Sequence, residues 1–408
     1  MKTVLIISNN LECDELVGYY SKLEQYFIMN GWKTVNHFNA DLIVIVACGA
    51  IDVVHEYIKS ALKDILIEKG NYASTIIMGC QVVTHKERLK EIFDGKMIQY
   101  NQEDQLDKRI GAKYKFKSIN TPNLFKLPGE NPNKMFTIII STGCLKKCTY
   151  CIINKAHGDI KSKSIAKIKA EFSVAVEKGF KDIALAGTDT SVYGYDTGSN
   201  FITLIKELRA IDPTVRFYME NLHPHNLVNY YNDLIELAKK NAFAYLHIAF
   251  QHVDNEVLKR MGRETDFTKI YDLIKELKRV CKDLIIYTDF IFAFPGESKQ
   301  QFESLLNFVK NDQYINYYYI HDYCDIIGTS SYNYKDKIDE KTKKERGLEI
   351  TIAFERRKQE KIKHMNPEIY NILKNRYQIE SELQKNKDNK GYYICKDTYV
   401  ELTKDFFV

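Results

Sequence analysis

Three cysteines lie close together near the middle of the chain, in the run Cys144-Leu-Lys-Lys-Cys148-Thr-Tyr-Cys151. They follow residues 136–141, an apolar segment with the composition of a buried strand. Thiolates at such close spacing hold an iron–sulfur cluster or zinc. A [4Fe–4S] cluster with three protein ligands keeps one iron open for a small molecule, whereas zinc would take a fourth ligand such as His157. The triplet therefore predicts a metal centre at the end of a strand.

The rest of the composition is that of a globular protein. The chain has 408 residues, of which 45% are hydrophobic and 28% are charged. No apolar run reaches the ~20 residues of a membrane helix, and the apolar run near Met1 is too short for a signal peptide. We therefore expect a cytoplasmic protein without a membrane partner, whose nine cysteines are free or metal-bound. The net charge of +5 does not by itself indicate nucleic-acid binding.

Residues 1–115 alternate between buried-strand and helix patterns. Strands are predicted at residues 3–8, 41–47 and 74–78, with helices at 15–30 and 51–68 between them. Continuous β-branched runs separated by helices are typical of a parallel sheet that is covered on both faces. The predicted fold is a doubly wound α/β domain.

Residues 116–335 repeat the alternation on a longer course. Six strands are predicted, at residues 136–141, 182–186, 216–220, 245–250, 284–294 and 317–322. Six β/α units predict a partial (β/α)6 barrel. A long charged helix is expected to link this barrel, over residues 336–365, to a short C-terminal module at 366–408.

A second set of cysteines comes from the first domain. Cys13, Cys48 and Cys80 each follow one of its three predicted strands. All three would therefore lie at the carboxyl edge of the sheet, where parallel sheets form ligand crevices. Position alone leaves two readings open, which are a second metal cluster and three unrelated buried thiols.

Both cysteine sets carry a resemblance to a known family. The spacing C-x3-C-x2-C after the first strand of a β/α barrel resembles the radical S-adenosylmethionine (SAM) enzymes. An α/β domain with one cysteine after each of three strands, as in Ala47-Cys48-Gly49 and Met78-Gly79-Cys80, is similar to the methylthiotransferases of that superfamily. The resemblance implies two [4Fe–4S] clusters, one on each cysteine set, and two SAM molecules per turnover. The reaction it implies converts C–H to C–SCH3.

The resemblance also implies a SAM pocket at the carboxyl ends of the barrel strands. Tyr150 takes the family's position beside the adenine. The other residues placed in the pocket by resemblance are Gly187, Thr188, Asp189, Gln251, Arg263, Pro295 and Gly296. No catalytic residue is predicted beyond the cluster ligands.

The substrate expectation rests on two further features. Asp189-Thr-Ser-Val-Tyr and Leu222-His-Pro224 look most like the branch that modifies an aspartate of a ribosomal protein. Residues 366–408 are shorter than the TRAM domain with which that family ends, so they look like a truncated or replaced TRAM. We therefore expect a different peptide or protein substrate, with a ribosomally made precursor peptide as one candidate, and a flavodoxin- or ferredoxin-type electron donor.

Three alternatives stay open at this point. One is a tRNA-adenosine methylthiotransferase, and another is a radical-SAM enzyme that inserts sulfur without methylating it. The third is a non-enzymatic iron–sulfur or zinc protein built on a decayed barrel.

Overall fold

The N-terminal part of the molecule is built on a five-stranded parallel sheet. The structure, a computed structural model, describes residues 1–8, 14–49, 53–100, 102–119, 123–125, 135–363 and 393–394. The strands are β1 (Thr3–Ser8), β2 (Lys33–Thr34), β3 (Leu42–Val46), β4 (Thr75–Met78) and β5 (Lys96–Ile98). The helices are α1 (Asp14–Met29), α2 (Val53–Lys69), α3 (Gln81–Thr84), α4 (Lys86–Lys90) and α5 (Asp104–Ile110).

The strand order of this sheet is β2-β1-β3-β4-β5, because β2 and β3 pair with opposite sides of β1. Alternate residues of β1 bury into two different cores. Ile6 packs in a core with Phe27 of α1, and Ile7 packs in a second core with Leu62 of α2. Helices therefore cover both faces, and the predicted doubly wound fold is confirmed.

The strand order reverses at β1 and β3, and such a switch point is where doubly wound sheets bind ligands. Cys48 lies two residues beyond β3, on this edge. The loop after β1, which contains Cys13, lies outside the described residues. The fold thus places Cys48 at the edge where a ligand site is expected.

The larger part of the molecule is an open barrel. Its first strands are β6 (Asn123–Phe125), β7 (Met135–Thr142) and β8 (Lys161–Ser162), followed by β9 (Asp182–Gly187), β10 (Arg216–Leu222), β11 (Phe243–Ile248), β12 (Ile285–Phe292) and β13 (Tyr317–Asp322). The six strands β7 and β9 to β13 are parallel and neighbour one another in chain order, whereas β6 and β8 pair antiparallel with β7. The predicted partial (β/α)6 barrel is confirmed.

Helices surround the barrel strands on the outer face. The short helix α6 (Ile153–His157) lies at the carboxyl ends of the strands, and the outer helices are α7 (Ile165–Glu177), α8 (Phe201–Ile211), α9 (Pro224–Leu227), α10 (Tyr231–Lys239), α11 (Asn255–Arg260), α12 (Phe267–Val280) and α13 (Lys299–Asn311). Their apolar faces and the outward residues of the strands share one large core. A different set of side chains lines the inner face of the strands.

The inner face is arranged in layers because side chains alternate along each strand. The lower layer is formed by four tyrosines whose rings stack in a row: Tyr218, Tyr245, Tyr287 and Tyr317. Two residues further along β11 and β12 come His247 and Asp289, which form a charged layer above the tyrosines. The cavity described below lies above both layers, at the carboxyl ends of the strands.

A long helix, α14 (Glu340–Lys363), follows the barrel and corresponds to the helix predicted there. Two buried ion pairs attach it to the barrel. Arg346 Nη1 lies 2.9 Å from Glu297 Oε1, and Arg357 Nη2 lies 2.6 Å from Asp312 Oδ2. The helix is therefore an integral part of the barrel rather than a free linker.

A last strand, β14 (Tyr393–Ile394), joins the N-terminal sheet, where it pairs antiparallel with β1 opposite Ile7 and Ser8. It brings part of the predicted C-terminal module back to the first domain.

The boundaries predicted for the domains stay predictions. In the described part of the chain, no helix is long and apolar enough to span a membrane.

Candidate functional site

The cysteine triplet follows β7 and lines a cavity of about 370 Å³ at the carboxyl ends of the barrel strands. Cys144, Cys148 and Cys151 are all partly exposed to this cavity. The loop leaves the strand through Gly143, whose φ is +85°, and a Cβ there would lie 2.1 Å from the carbonyl oxygen of Asp159. Only glycine fits this conformation and this space, so the backbone fixes where the cysteine loop begins.

Two thiols of the triplet, those of Cys144 and Cys151, are poor acids in the protein alone. Burial raises the pKa of Cys144 to about 12, and the charge of Asp189 adds to the effect. Burial also raises the pKa of Cys151. A bound metal reverses this balance because it stabilises the thiolate directly. Three sulfur donors that line one cavity suit an iron–sulfur cluster. In the described part of the chain, no three His, Cys, Asp or Glu side chains surround a single point.

His157 does not face the triplet. Its Nε2 lies 3.1 Å from the sulfur of Cys80, and its Nδ1 lies 3.3 Å from Oγ1 of Thr188. The structure therefore gives no support to His157 as a fourth ligand of a zinc ion held by the triplet.

Arg263 spans the cavity wall beside the triplet. Its Nη1 donates to the hydroxyl of Tyr150 at 3.0 Å and approaches the sulfur of Cys148 at 3.6 Å. The side chain is buried, and its Nε has no hydrogen-bond partner in the described part of the chain. Arg263 thus holds the loop in place and keeps one donor for a ligand.

A second buried side chain of the cavity also lacks hydrogen-bond partners among the described residues. His223 lines the cavity, and neither of its ring nitrogens has a partner among the described residues. Burial and the nearby charge of Arg263 lower its pKa, so the imidazole is neutral. A buried imidazole without hydrogen bonds is costly, which indicates a ligand-facing role.

Two residues at the carboxyl ends of barrel strands have strained backbone conformations. Asn221, at the end of β10, has a φ of +54°, and Gln251, just beyond β11, has a φ of +77°. Both line the cavity. Non-glycine residues in this region cost free energy and cluster at ligand sites.

The charged layer closes the bottom of the cavity. His247 Nε2 lies 2.8 Å from Asp289 Oδ2, and His247 Nδ1 lies 3.5 Å from Glu220 Oε2. Burial opposes a charge on His247, but the two carboxylates outweigh it and raise its pKa to about 9. Asp289 also borders the cavity, so its carboxylate lies between the charged imidazole of His247 and the cavity.

Comparison with known proteins agrees with this geometry. Residues 138–309, which contain the triplet and most of the barrel, match the Radical SAM superfamily. The chain is 27% identical over 358 residues to the ribosomal protein uS12 methylthiotransferase RimO of Protochlamydia amoebophila, covering 84% of this chain and 74% of that protein. These matches identify an enzyme of the radical-SAM methylthiotransferase type.

One further relative and one solved structure are also similar to this chain. A probable threonylcarbamoyladenosine tRNA methylthiotransferase of Pyrococcus horikoshii is 30% identical over 285 residues, covering 66% of this chain and 65% of that one. Among solved structures, the radical SAM methyltransferase TsrM of Kitasatospora setae superposes with a TM-score of 0.53 at 13% identity, covering 75% of this chain and 72% of that one. That likeness shows the fold alone.

The methylthiotransferase assignment makes the chain an enzyme whose cofactors are [4Fe–4S] clusters and SAM. Of the residues predicted for the SAM pocket, the structure brings together on one cavity Tyr150, Thr188, Asp189, Gln251 and Arg263. Their contacts with SAM stay predictions. The cavity and the partnerless donors around it are compatible with a ligand that carries amino, carboxylate and ribose groups.

Three predicted residues lie elsewhere. A Cβ on Gly187 would lie 2.7 Å from the carbonyl oxygen of Ser141, so this glycine permits close packing of neighbouring strands. Pro295 and Gly296 form a turn held by Arg260 and Asp336. None of the three borders the cavity.

The second cysteine set is described in part. Cys48 and Cys80 are buried at the ends of β3 and β4. Their loops are joined by backbone hydrogen bonds, from Ala47 N to the oxygen of Met78 at 2.7 Å and from Gln81 N to the oxygen of Ala47 at 3.1 Å. Cys13 lies outside the described residues.

Several cavity residues were missed by the sequence analysis. They are Lys146, Asn154, Asn221, Asp289, His321 and Tyr323. Asp289 had a usable signal, since it is a carboxylate in an otherwise apolar strand, two residues after an inward tyrosine. Asn221 carried no signal because its left-handed backbone is visible only in the structure.

Proposed function

We propose that this methylthiotransferase inserts sulfur and a methyl group into a C–H bond of a peptide or protein. Cys144, Cys148 and Cys151 would hold the cluster that binds SAM. Cys13, Cys48 and Cys80 would hold an auxiliary cluster as the sulfur-bearing site. The observation that carries this proposal is the contact between Cys80 and His157, because it brings the second cysteine set against the helix that follows the triplet.

The chemistry of the bound cofactors is reductive cleavage of SAM to a radical that abstracts hydrogen, together with delivery of sulfur and methyl. The chain itself supplies position and shielding. Arg263 fixes the triplet loop through its hydrogen bond to Tyr150, which belongs to that loop. The tyrosine layer and the charged layer close the cavity below, which keeps water away from a reactive intermediate.

The same cavity offers complementary groups for SAM. The partnerless nitrogens of Arg263 and His223 can meet a carboxylate or ribose oxygen. Asp189 lies 3.7 Å from the sulfur of Cys144, where an acceptor could meet an amino group. We infer that a first SAM donates the methyl group and a second gives the radical, with a flavodoxin- or ferredoxin-type protein as electron donor.

A protein substrate is favoured over tRNA by the extent of similarity. The relative named for ribosomal protein uS12 covers 84% of this chain, whereas the relative named for tRNA covers 66%. The net charge of +5 is small for an RNA-binding enzyme. A ribosomally made precursor peptide remains the candidate that the sequence suggests.

The test offers three substrates to the anaerobically reconstituted enzyme with SAM and dithionite. They are ribosomal protein uS12, a pool of precursor peptides from the source genome, and total tRNA. We expect mass spectrometry to find one added SCH2 unit on a peptide or protein. Modification of tRNA alone, or addition of sulfur without methyl, would overturn the proposal in favour of the corresponding alternative.

A further inference from the structure

His157 forms the wall between two cavities. Its hydrogen-bond partner Thr188 borders the SAM cavity. His157 itself borders a second cavity of about 420 Å³, between α1 of the N-terminal domain and β7 of the barrel. On that side its Nε2 contacts the sulfur of Cys80, and its ring packs 4.9 Å from the ring of Tyr100. The imidazole is buried, so protein groups rather than bulk solvent surround it.

The hydrogen bonds run in one direction. The backbone N–H of Gly143 donates to Thr188 Oγ1 at 3.0 Å. The hydroxyl of Thr188 is then able to donate to His157 Nδ1, which leaves the ring proton on Nε2, facing the sulfur of Cys80. A thiolate can only accept, so a Cys80 that binds metal selects this tautomer. The chain of contacts therefore joins the residue before Cys144 to Cys80.

We propose that His157 is a positioning residue that donates a hydrogen bond to the Cys80 thiolate and thereby sets the reduction potential of the auxiliary cluster. The proposal rests on the proposed function, since it requires that cluster to exist. Hydrogen bonds to ligand sulfurs withdraw electron density from a cluster and make its reduction easier. Anchoring by Thr188 fixes the ring, so the donor keeps its direction.

Two replacements at position 157 separate the effect of the hydrogen-bond donor from the effect of side-chain volume. His157→Leu keeps much of the volume but has no donor, whereas His157→Gln carries an amide N–H at a similar reach. A matched control is His37→Leu, which changes an exposed histidine of the same N-terminal domain. Each is made in a Cys144→Ala, Cys148→Ala, Cys151→Ala background, so that only the auxiliary cluster contributes to the signal.

The measurement is an anaerobic redox titration followed by EPR, with iron counted in every sample. We expect iron content to be equal in all four proteins and the midpoint potential to become more negative in His157→Leu. His157→Gln should restore the potential toward that of the background, and His37→Leu should leave it unchanged.

The failures are distinguishable. A triple-alanine background without iron overturns the proposed auxiliary cluster itself. A background that binds iron but whose potential is the same with histidine and leucine at position 157 overturns the role of His157 alone. Loss of iron in both His157→Leu and His157→Gln would also overturn it, because the imidazole would then be needed to hold the metal.

Discussion

Arg263 and Tyr150 are 113 residues apart in the chain, yet the guanidinium Nη1 donates to the phenol oxygen at 3.0 Å. The contact joins the loop after α11 to the middle of the cysteine triplet. Because Arg263 is buried, its charge acts in a region of low dielectric. One arginine thus fixes the position of the triplet and helps to define the cavity beside it.

Replacement of this arginine should weaken SAM binding. Arg263→Lys keeps the charge but loses the fork in which Nη1 reaches Tyr150 and Cys148 while Nη2 donates to the carbonyl oxygen of Ala249. A hydrogen bond to a charged group contributes about 1.5–3 kcal/mol, so we expect SAM affinity to fall by about tenfold or more while iron content is kept. Equilibrium binding of SAM to the reconstituted protein measures this.

The matched control is Arg279→Lys, since Arg279 is exposed and pairs only with Glu276 on its own helix among the described contacts. That variant should bind SAM as the wild type does. Equal SAM affinity in Arg263→Lys and the wild type would contradict the role given to the fork.

A methyl group at Gly143 should disrupt the cysteine loop. Gly143→Ala places a Cβ 2.1 Å from the backbone oxygen of Asp159, so the backbone before Cys144 must move. Gly179→Ala has an almost identical φ, +84°, but open space around the new Cβ. We expect iron incorporation at the triplet to be lost in Gly143→Ala and kept in Gly179→Ala, which should lose only about 1 kcal/mol of stability.

Iron analysis of both proteins in a Cys48→Ala, Cys80→Ala background reads the triplet alone. Full iron loading of Gly143→Ala would show that the loop tolerates the shift.

The charged layer should make stability depend on pH. The pKa of His247 is raised from 6.5 to about 9 in the folded protein. The histidine therefore binds its proton more tightly when folded, and its contribution is fully present below pH 6.5 and lost as pH rises through 9. The shift corresponds to about 3 kcal/mol.

Chemical denaturation across this range gives the free energy of unfolding for wild type and His247→Gln. We expect the difference between them to shrink as pH rises. His37→Gln, at an exposed histidine, should give a difference that does not vary with pH. A constant difference for His247→Gln would argue that the histidine is neutral in the fold.

Loss of one of the two buried ion pairs that attach α14 should destabilise the protein. Arg357→Met removes the cation that pairs with Asp312, whose carboxylate is fully buried. Loss of one member of a buried pair costs about 3–5 kcal/mol. Its neighbour Arg356 is exposed, so Arg356→Met should change stability by less than about 0.5 kcal/mol.

Thermal or denaturant unfolding of the two variants tests this contrast. Similar stability in Arg357→Met and Arg356→Met would mean that the ion pair does not anchor α14.

The sequence predicted the parallel strands well because β-branched runs are a strong local signal. The predicted strand 3–8 has the observed bounds of β1, and the strand predicted at 317–322 has those of β13. The short strand β2 was not predicted because two residues, Lys33 and Thr34, carry no periodic pattern. The return of Tyr393–Ile394 to β1 is a long-range pairing that local patterns do not encode.

The candidate site likewise has a part that local sequence patterns predict and a part that only the folded structure shows. The cysteine triplet was evident from its spacing, which needs no tertiary information. The contact of Cys80 with His157 joins residues 77 positions apart and depends on how two domains pack. The pairing of His247 with Asp289 likewise depends on the register of β11 and β12, which only the folded sheet defines.

The most direct test of two clusters in one chain is iron and sulfide analysis with EPR, on wild type and on the double variant Cys48→Ala, Cys80→Ala. We predict about eight irons per chain in the wild type and about four in the variant, since each [4Fe–4S] cluster holds four. The variant should still cleave SAM to deoxyadenosine, because the triplet is intact, but should no longer add sulfur to substrate. About four irons in both proteins would contradict the account, because it would leave Cys48 and Cys80 without a cluster.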